Sequence, residues 1–390
     1  MQAGDFLGAF DELDDSQRMV QDTVKKFVAE KYQGKVGEHF EKGTFPKELI
    51  REMGQLGFLG SSLKGYGCAG LDEISYGLIM KELERCDSGL RSFASVQSSL
   101  AMYAIYAFGS EEQKNHFLPK MAAGEWVGCF GLTEPDFGSN PAGMKTFAKK
   151  EGNSWVLNGS KTWITNASIA DVAIVWAQTD AGIRGFLVEK NTPGFSAPEI
   201  HQKLSLRASV TGSLFFDNCK IPDTNLLIKT ATAGTGGLKN ALMCLNQARF
   251  GIAFGVLGAA EDCLNEALSY TKERIMFGKP LASFQLIQRK LALMATEIAK
   301  ANLLSMQLAR LKHANKMLPS QISMVKQNNV QIALDCARTT RDILGANGIS
   351  GEYRCMRHMC NLESVYTYEG TNDIHLLVVG QELTGISAFN

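Results

Sequence analysis

The run "SVYTYEGTNDIH", Ser364 to His375, sets one carboxylate, Glu369, between the aromatic ring of Tyr368 and Gly370, in a stretch with almost no other charge. A carboxyl group in a dry apolar setting has its pKa lifted toward neutrality and becomes a competent proton acceptor. A helix-capping or surface acid is the other reading of the same letters. "GYGCAG", Gly65 to Gly70, matches the dinucleotide fingerprint GxGxxG, yet only a short "GFLGSSL" precedes it and helical patterns follow, without the alternating strands of a parallel sheet. A glycine-rich loop entering a helix accounts for it. "CMRHMC" offers Cys355, His358 and Cys360 at a spacing that fits no common zinc pattern, with no evident fourth ligand, so no metal is expected. No GxSxG elbow occurs, and His375 reads as a core or supporting histidine.

The elements that must position these residues follow from hydrophobic periodicity. Residues 1–128 read as helical: "DDSQRMVQDTVKKFVAEKY" carries Met19, Val20, Val24, Phe27 and Val28 near helical spacing behind a capping Asp15 or Ser16. Between 129 and 238 the runs become short and rich in β-formers, as in "VAIVWAQT", "RGFLVEK" and "SLFFDN", and Asn158-Gly159 in "NSWVLNGSKTWITN" is the signal of a hairpin turn. From 239 to 390 the helical period returns. One stripe joins Phe284, Ile287, Leu291, Met294, Ile298, Ala301, Leu304, Leu308 and Leu311, and Leu286, Leu293 and Leu303 lie off it, which predicts burial on more than one side. The expected class is mainly α with a β domain, in the order helices, sheet, helices.

With 40 Lys plus Arg against 40 Asp plus Glu in 390 residues, the formal charge is zero, so the chain as a whole attracts neither nucleic acid nor an anionic membrane surface. The nine cysteines are scattered without a CxxC, which predicts reduced, buried thiols. The opening "MQAGDFLGAFDELDDSQ" lacks the features of a secretory signal, so an intracellular protein is expected. No uninterrupted apolar run of transmembrane length is read from the letters.

Taken in order, "GLTEPDFGSN" (131–140), "WITN" (163–166), "ERIMFGKPL" (273–281), "RDILGANGIS" (341–350) and "YEGTND" (368–373) resemble the motifs of the acyl-CoA dehydrogenase family. The resemblance runs from the first helices to the last. It implies a helical N-terminal domain (1–128), a middle β-barrel-like domain (129–238) and a C-terminal helical bundle (239–390). More narrowly, "LERCDSGLRSFASVQSSL" (83–100) with "LSLRASVTG" (204–212) is similar to the branch that oxidises glutaryl-CoA. Two positions depart from the family pattern: Asn140 stands where Asp is usual, and Ala346 where Gly is usual.

The resemblance implies FAD-dependent removal of a proton and a hydride from neighbouring carbons of a thioester, with Glu369 as base and its backbone N–H, beside a flavin hydroxyl, facing the enolate oxygen. It carries Phe130, Leu132, Thr133, Ser139, Trp163 and Thr165 onto the flavin, and Arg274, Phe277, Asp342, Gly345, Ala346 and Thr371 onto its phosphates and adenine, some of them from a neighbouring subunit. For substrate it carries Arg91, Ser92, Glu84, Ser139, Arg249 and Tyr368. Arg91, flanked by Leu90 and Phe93, is either a surface or Asp87-paired arginine or a receptor for the distal carboxylate; a neutral acyl tail would then leave it buried and unpaired. Loss of carbon dioxide to give crotonyl-CoA, a homotetramer, and electron delivery to an electron-transferring flavoprotein complete the implied picture, with no nucleic-acid or membrane partner. The compartment is expected to be a bacterial cytoplasm or, after removal of a presequence, a mitochondrial matrix. The rival readings are an enzyme for a neutral short-chain acyl-CoA and a non-catalytic acyl-CoA-binding protein.

Overall fold

A computed structural model describes residues 3–231 and 237–389. Helices α1 (Asp15–Lys31), α2 (Val36–Lys42), α3 (Leu49–Gln55), α4 (Glu73–Cys86), α5 (Ser88–Ser95), α6 (Tyr103–Phe108) and α7 (Glu111–Ala122) come first, with a π-helical stretch, Val96–Met102, between α5 and α6. The α1 helix starts one residue earlier than expected: Asp14 accepts from the Gln17 N–H and Gln17 returns the bond, a reciprocal cap that satisfies two N-terminal donors. Its inward face is Val24, Phe27 and Val28, whereas Met19 is exposed. The α5 helix is capped by the buried Asp87, which accepts from the Gly89 N–H at 2.7 Å.

Strands β1 (Gly128–Gly131), β2 (Phe147–Glu151), β3 (Ser154–Thr165), β4 (Val172–Ala177), β5 (Arg184–Glu189), β6 (Phe195–Ser196) and β7 (Thr211–Pro222) follow. They form two sheets, β1-β4-β5 with β1 parallel to β4, and an antiparallel β2-β3-β7-β6. Cys129, Leu157, Val175, Phe186, Leu214 and Phe216 fill the space between them. The expected hairpin at Asn158-Gly159 is not there: β3 runs through it, and the tight turn lies earlier, between β2 and β3. Gly159 instead pairs with Phe216 beside a register shift in which β7 carries the extra residue, with φ of 135° and a backbone so close to Thr146 that a Cβ would approach its Cα to 2.7 Å.

The C-terminal part holds α8 (Gly237–Glu273), a short β8 (Ile275–Met276) and β9 (Lys279–Pro280) hairpin, α9 (Gln285–His313), α10 (Pro319–Ile343), α11 (Cys355–Thr367) and α12 (Asn372–Thr384). By length and composition α8 could cross a bilayer, contrary to the reading of the letters, but 67% of its most apolar stretch is buried, because it is the central core helix. Phe250 and Phe254 on α8 pack with Tyr76, Leu83 and Phe93 from the N-terminal helices. Each phenylalanine contributes on the order of 2–3 kcal/mol by leaving water. At Gly255 a Cβ would meet Glu84 Oε2 at 2.3 Å, so the missing side chain lets α4 bring its carboxylate against α8. On α9, Met294, Ile298, Ala301 and Leu308 are buried, while Leu286, Leu293 and Leu303 are exposed in the single chain. All nine cysteines are free thiols, seven of them buried.

Candidate active site

Tyr368 ends α11 and Thr371 caps α12, so Glu369 and Gly370 form a two-residue link, both left-handed with φ of 53° and 94°. A glutamate costs energy there, and the surroundings hold it in place. Arg249 Nε on α8 donates to the Glu369 carbonyl at 2.7 Å. Lys326 Nζ on α10 donates to the carbonyls of Tyr368 and Gly370 at 3.2 and 2.9 Å. At Gly370 a Cβ would sit 2.9 Å from His375 Nε2. His375, bonded through Nδ1 to Ser323 Oγ at 3.0 Å, is driven down to about 2 by burial, with Lys326 and Arg249 adding to the effect, so it stays neutral.

The Glu369 side chain is the unusual part. Its Oε2 is buried and has no hydrogen-bond partner among the described residues. Burial raises its pKa above the ordinary carboxylate value, against the opposing pull of Arg91, Arg249 and Lys326. A buried acceptor with no partner costs about 1–3 kcal/mol, and a group kept that way is open to a proton from a ligand.

Arg91 on α5 is fully buried, and its partner is Glu84, not Asp87: Nε and Nη2 meet the two Glu84 oxygens at 2.6 and 3.2 Å. Nη2 also donates to the Tyr368 hydroxyl. Burial works against the guanidinium charge, but Glu84 and Tyr368 override it and hold its pKa above the ordinary value. Nη1 meets only Ser92 Oγ, at 3.5 Å, the outer limit of a hydrogen bond. The expectation that a ligand without a distal charge leaves Arg91 unpaired is therefore overturned, because Glu84 neutralises it within the fold. One terminal nitrogen, with Ser92 beside it, is what remains for a ligand. Asp87 has other duties: it pairs with Arg357 at 3.5 Å and accepts from Asn361 Nδ2 at 2.8 Å. Asn361 in turn receives the Leu206 N–H at 2.9 Å, tying the β domain to both helical parts behind α5.

Phe130 and Leu132 are buried in the core, so only their backbone groups can serve a ligand. Thr133 and Thr165 are half-buried and Ser139 is exposed. The two motifs meet: Thr162 N–H donates to the Thr133 carbonyl at 2.9 Å, and the buried Lys161 bonds the Leu132 carbonyl at 3.1 Å and Glu134 at 2.8 Å. Trp163 stands beside them, 62% exposed with φ of 60°. A large ring held in a strained backbone conformation and left facing out is the mark of a surface built to be covered. Phe277 lies at the turn of the β8–β9 hairpin, 90% exposed at φ of 50°, and Arg274 directly precedes β8. Asp342 pairs with Lys290 and Arg341; Gly345 and Ala346 follow on the exposed turn, and the Thr371 hydroxyl caps α12. Thus Glu84, Arg91, Ser92, Arg249, Tyr368 and Glu369 are brought together, and Leu132 and Thr133 are bonded to Lys161 and Thr162, on the strand that carries Trp163 and Thr165. Arg274, Phe277, Asp342, Gly345, Ala346 and Ser139 stand apart, with no hydrogen bond or ion pair to either group among the described residues.

Sequence reasoning missed Lys326. Its signal is a lone lysine on the apolar face of α10, four residues from Ile322 and from Val330, both buried. His358 of the rejected metal motif bonds Asp262 at 3.1 Å, and no cluster among the described residues could hold a metal ion. Gly65, Gly67 and Gly70 all have positive φ in a loop before α4, whose N-cap is Asp72.

Models of the acyl-CoA dehydrogenase N-terminal, middle and C-terminal domains match residues 14–125, 129–219 and 235–384, and the chain belongs to the acyl-CoA dehydrogenase family. A crystal structure of a glutaryl-CoA dehydrogenase from Mycobacterium smegmatis in complex with FADH2 is 54% identical, with a TM-score of 0.97 and 100% of both chains covered. An acyl-CoA dehydrogenase of Bacillus subtilis is 38% identical over 95% of this chain and 97% of that protein. The human mitochondrial short-chain specific acyl-CoA dehydrogenase is 36% identical over 95% of this chain and 91% of that protein.

Proposed function

We propose that this enzyme oxidises glutaryl-CoA and decarboxylates it to crotonyl-CoA and carbon dioxide, with Glu369 as the base. The observation that carries the reading is the buried, unpartnered Glu369 Oε2, in the field of Arg91, whose Nη1 meets only Ser92 Oγ at 3.5 Å. A non-catalytic binding protein has no use for a carboxylate kept at that cost.

FAD, when bound, supplies the acceptor for the two electrons and the hydrogen that leave the β-carbon. The backbone of Phe130 and Leu132, the hydroxyls of Thr133, Ser139 and Thr165, and the Trp163 ring would hold it. Arg274, Phe277, Asp342, Gly345, Ala346 and Thr371, exposed or at a helix start, suit the phosphates and adenine of a cofactor shared with a neighbouring subunit in a homotetramer. Asn140 and Ala346 leave these groups in place.

Glu369 takes the α-proton; its raised pKa keeps that transfer from being steeply uphill. Arg91 Nη1 and the Ser92 hydroxyl receive the distal carboxylate, while Glu84 and Tyr368 fix the guanidinium. Once the α,β double bond exists, the distal carboxylate is vinylogous to the thioester. Cleavage of the γ-carbon–carboxyl bond releases carbon dioxide and sends its electron pair toward the thioester carbonyl. Protonated Glu369 then returns a proton to the γ-carbon.

Pairing of Arg91 by Glu84 favours a second reading, a neutral short-chain acyl-CoA, because the pocket is electrically complete without a ligand charge. Product analysis decides between them: the account expects crotonyl-CoA and carbon dioxide from glutaryl-CoA in equal amounts, and a higher kcat/KM for butyryl- than glutaryl-CoA would favour the second reading. An electron-transferring flavoprotein as oxidant, and a cytoplasmic or matrix location, belong to the same proposal.

A further inference from the structure

Residues 368–370 offer three consecutive backbone carbonyls to the interior, and two cations, the buried Lys326 and the half-buried Arg249, take all three. Arg249 takes the middle one, while the single ammonium of Lys326 bridges the outer two, at 3.2 and 2.9 Å across a link whose φ angles are 53° and 94°. A left-handed Glu-Gly pair gives up the intrahelical partners that a continuous helix would supply, so its carbonyls must be satisfied from outside. Lys326 is itself wholly buried, and nothing in its immediate hydrogen bonding other than these two carbonyls explains why a lysine occupies the apolar face of α10. We infer that Lys326 is a positioning residue for the reaction: by clamping the carbonyls on either side of Glu369 it fixes the link in its strained conformation and so aims the carboxyl group at the substrate.

The inference rests on Glu369 being the base. The groups that face Glu369 are Tyr76 from α4, Arg91 from α5, Arg249 from α8, Lys326 from α10, Tyr368 at the end of α11 and His375 from α12. Among them Lys326 alone touches both neighbours of the base. Burial drives Lys326 down to about 7, with Glu369 opposing and Arg249 and Arg91 adding to the fall. Loss of its charge does not free the link, since a neutral amine keeps two N–H groups, one for each carbonyl. A second effect is electrostatic: Lys326 is one of three cations that hold the Glu369 pKa down against burial. Without it the base becomes harder to ionise.

The test compares Lys326→Met, Lys326→Gln and Glu369→Gln holoenzymes, matched for flavin content. Two readouts are used: turnover of glutaryl-CoA across pH, and solvent-deuterium exchange at the α-carbon of an acyl-CoA whose β-carbon is fully substituted. That thioester can lose an α-proton but cannot be dehydrogenated. Glu369→Gln should abolish exchange. Lys326→Met should slow both exchange and kcat by roughly 10²-fold, the cost of a misaimed group, with KM little changed. Its acid limb of kcat/KM should also move to higher pH, which a remote packing defect would not do. Lys326→Gln, which retains an amide donor for one carbonyl, should fall between parent and Lys326→Met; should Lys326→Met not fold, this intermediate loss and limb shift carry the test. If the Lys326 variants exchange within about threefold of the parent and keep its pH profile while Glu369→Gln is dead, the positioning role is wrong and the base stands. If Glu369→Gln still exchanges at the parent rate, the base assignment falls, and the positioning role falls with it.

Discussion

Arg91→Gln separates substrate recognition from stability. The guanidinium has five N–H donors; two are spent on Glu84, at 2.6 and 3.2 Å, and one on the Tyr368 hydroxyl. The pair on Nη1 meets only Ser92, at 3.5 Å. A distal carboxylate bound there gains a charge-assisted hydrogen bond of about 1.5–3 kcal/mol. At about 1.4 kcal/mol per decade, its loss lowers kcat/KM for glutaryl-CoA by roughly 10- to 10²-fold, before the cost of leaving the ligand charge unpaired is added. Butyryl-CoA, with no carboxylate, should lose less than about tenfold. The same substitution strands Glu84, which is 0% exposed, and breaking a buried pair in that way costs about 3–5 kcal/mol of folding stability. The double variant Glu84→Gln/Arg91→Gln removes both charges, so denaturant melts should recover most of that stability while diacid turnover stays low. Parallel loss on the two thioesters, or recovery of glutaryl-CoA turnover in the double variant, would refute the assignment of Nη1 to the distal carboxylate.

Three further outcomes follow from the geometry. Glu369 titrates higher in the folded chain than its ordinary value of 4.5, so across the interval between the two the native state holds more protons than the unfolded state and stability falls as pH rises. Glu369→Gln removes that loss and should melt above the parent at pH 8 in thermal scans, the difference closing toward pH 4. Gly370→Ala puts a methyl 2.9 Å from His375 Nε2 at a φ of 94°, costing on the order of 1–3 kcal/mol of strain; single-turnover kinetics should show slower proton abstraction with FAD content unchanged. Trp163→Ala removes a ring that is 62% exposed in the chain alone; purified protein should melt like the parent when flavin-free and carry less FAD by absorbance.

The class of fold was legible because the periods of α1, α9 and the short strands are strong local signals, and Glu369 stood out for its uncharged neighbours. Elements whose outcome depends on distant partners were not legible. Asn158-Gly159 has hairpin letters, yet β3 runs through it and pairs with β7, which bulges opposite. Leu286, Leu293 and Leu303 promise a second buried side that one chain does not provide. Arg91 was visible as a candidate, but its pairing with Glu84, seven residues away and across a helix break at Asp87, is set by the angle between α4 and α5. Lys326 lies 43 residues before Glu369 in the chain and is joined to its loop only by tertiary packing.

Turnover of glutaryl-CoA by Glu369→Gln, with flavin content matched to the parent, bears most directly on the role of this carboxylate. A positioned general base is worth roughly 10²–10⁴-fold, and kcat should fall by at least that much. A variant that turns over within about threefold of the parent would contradict the account, whatever its other properties.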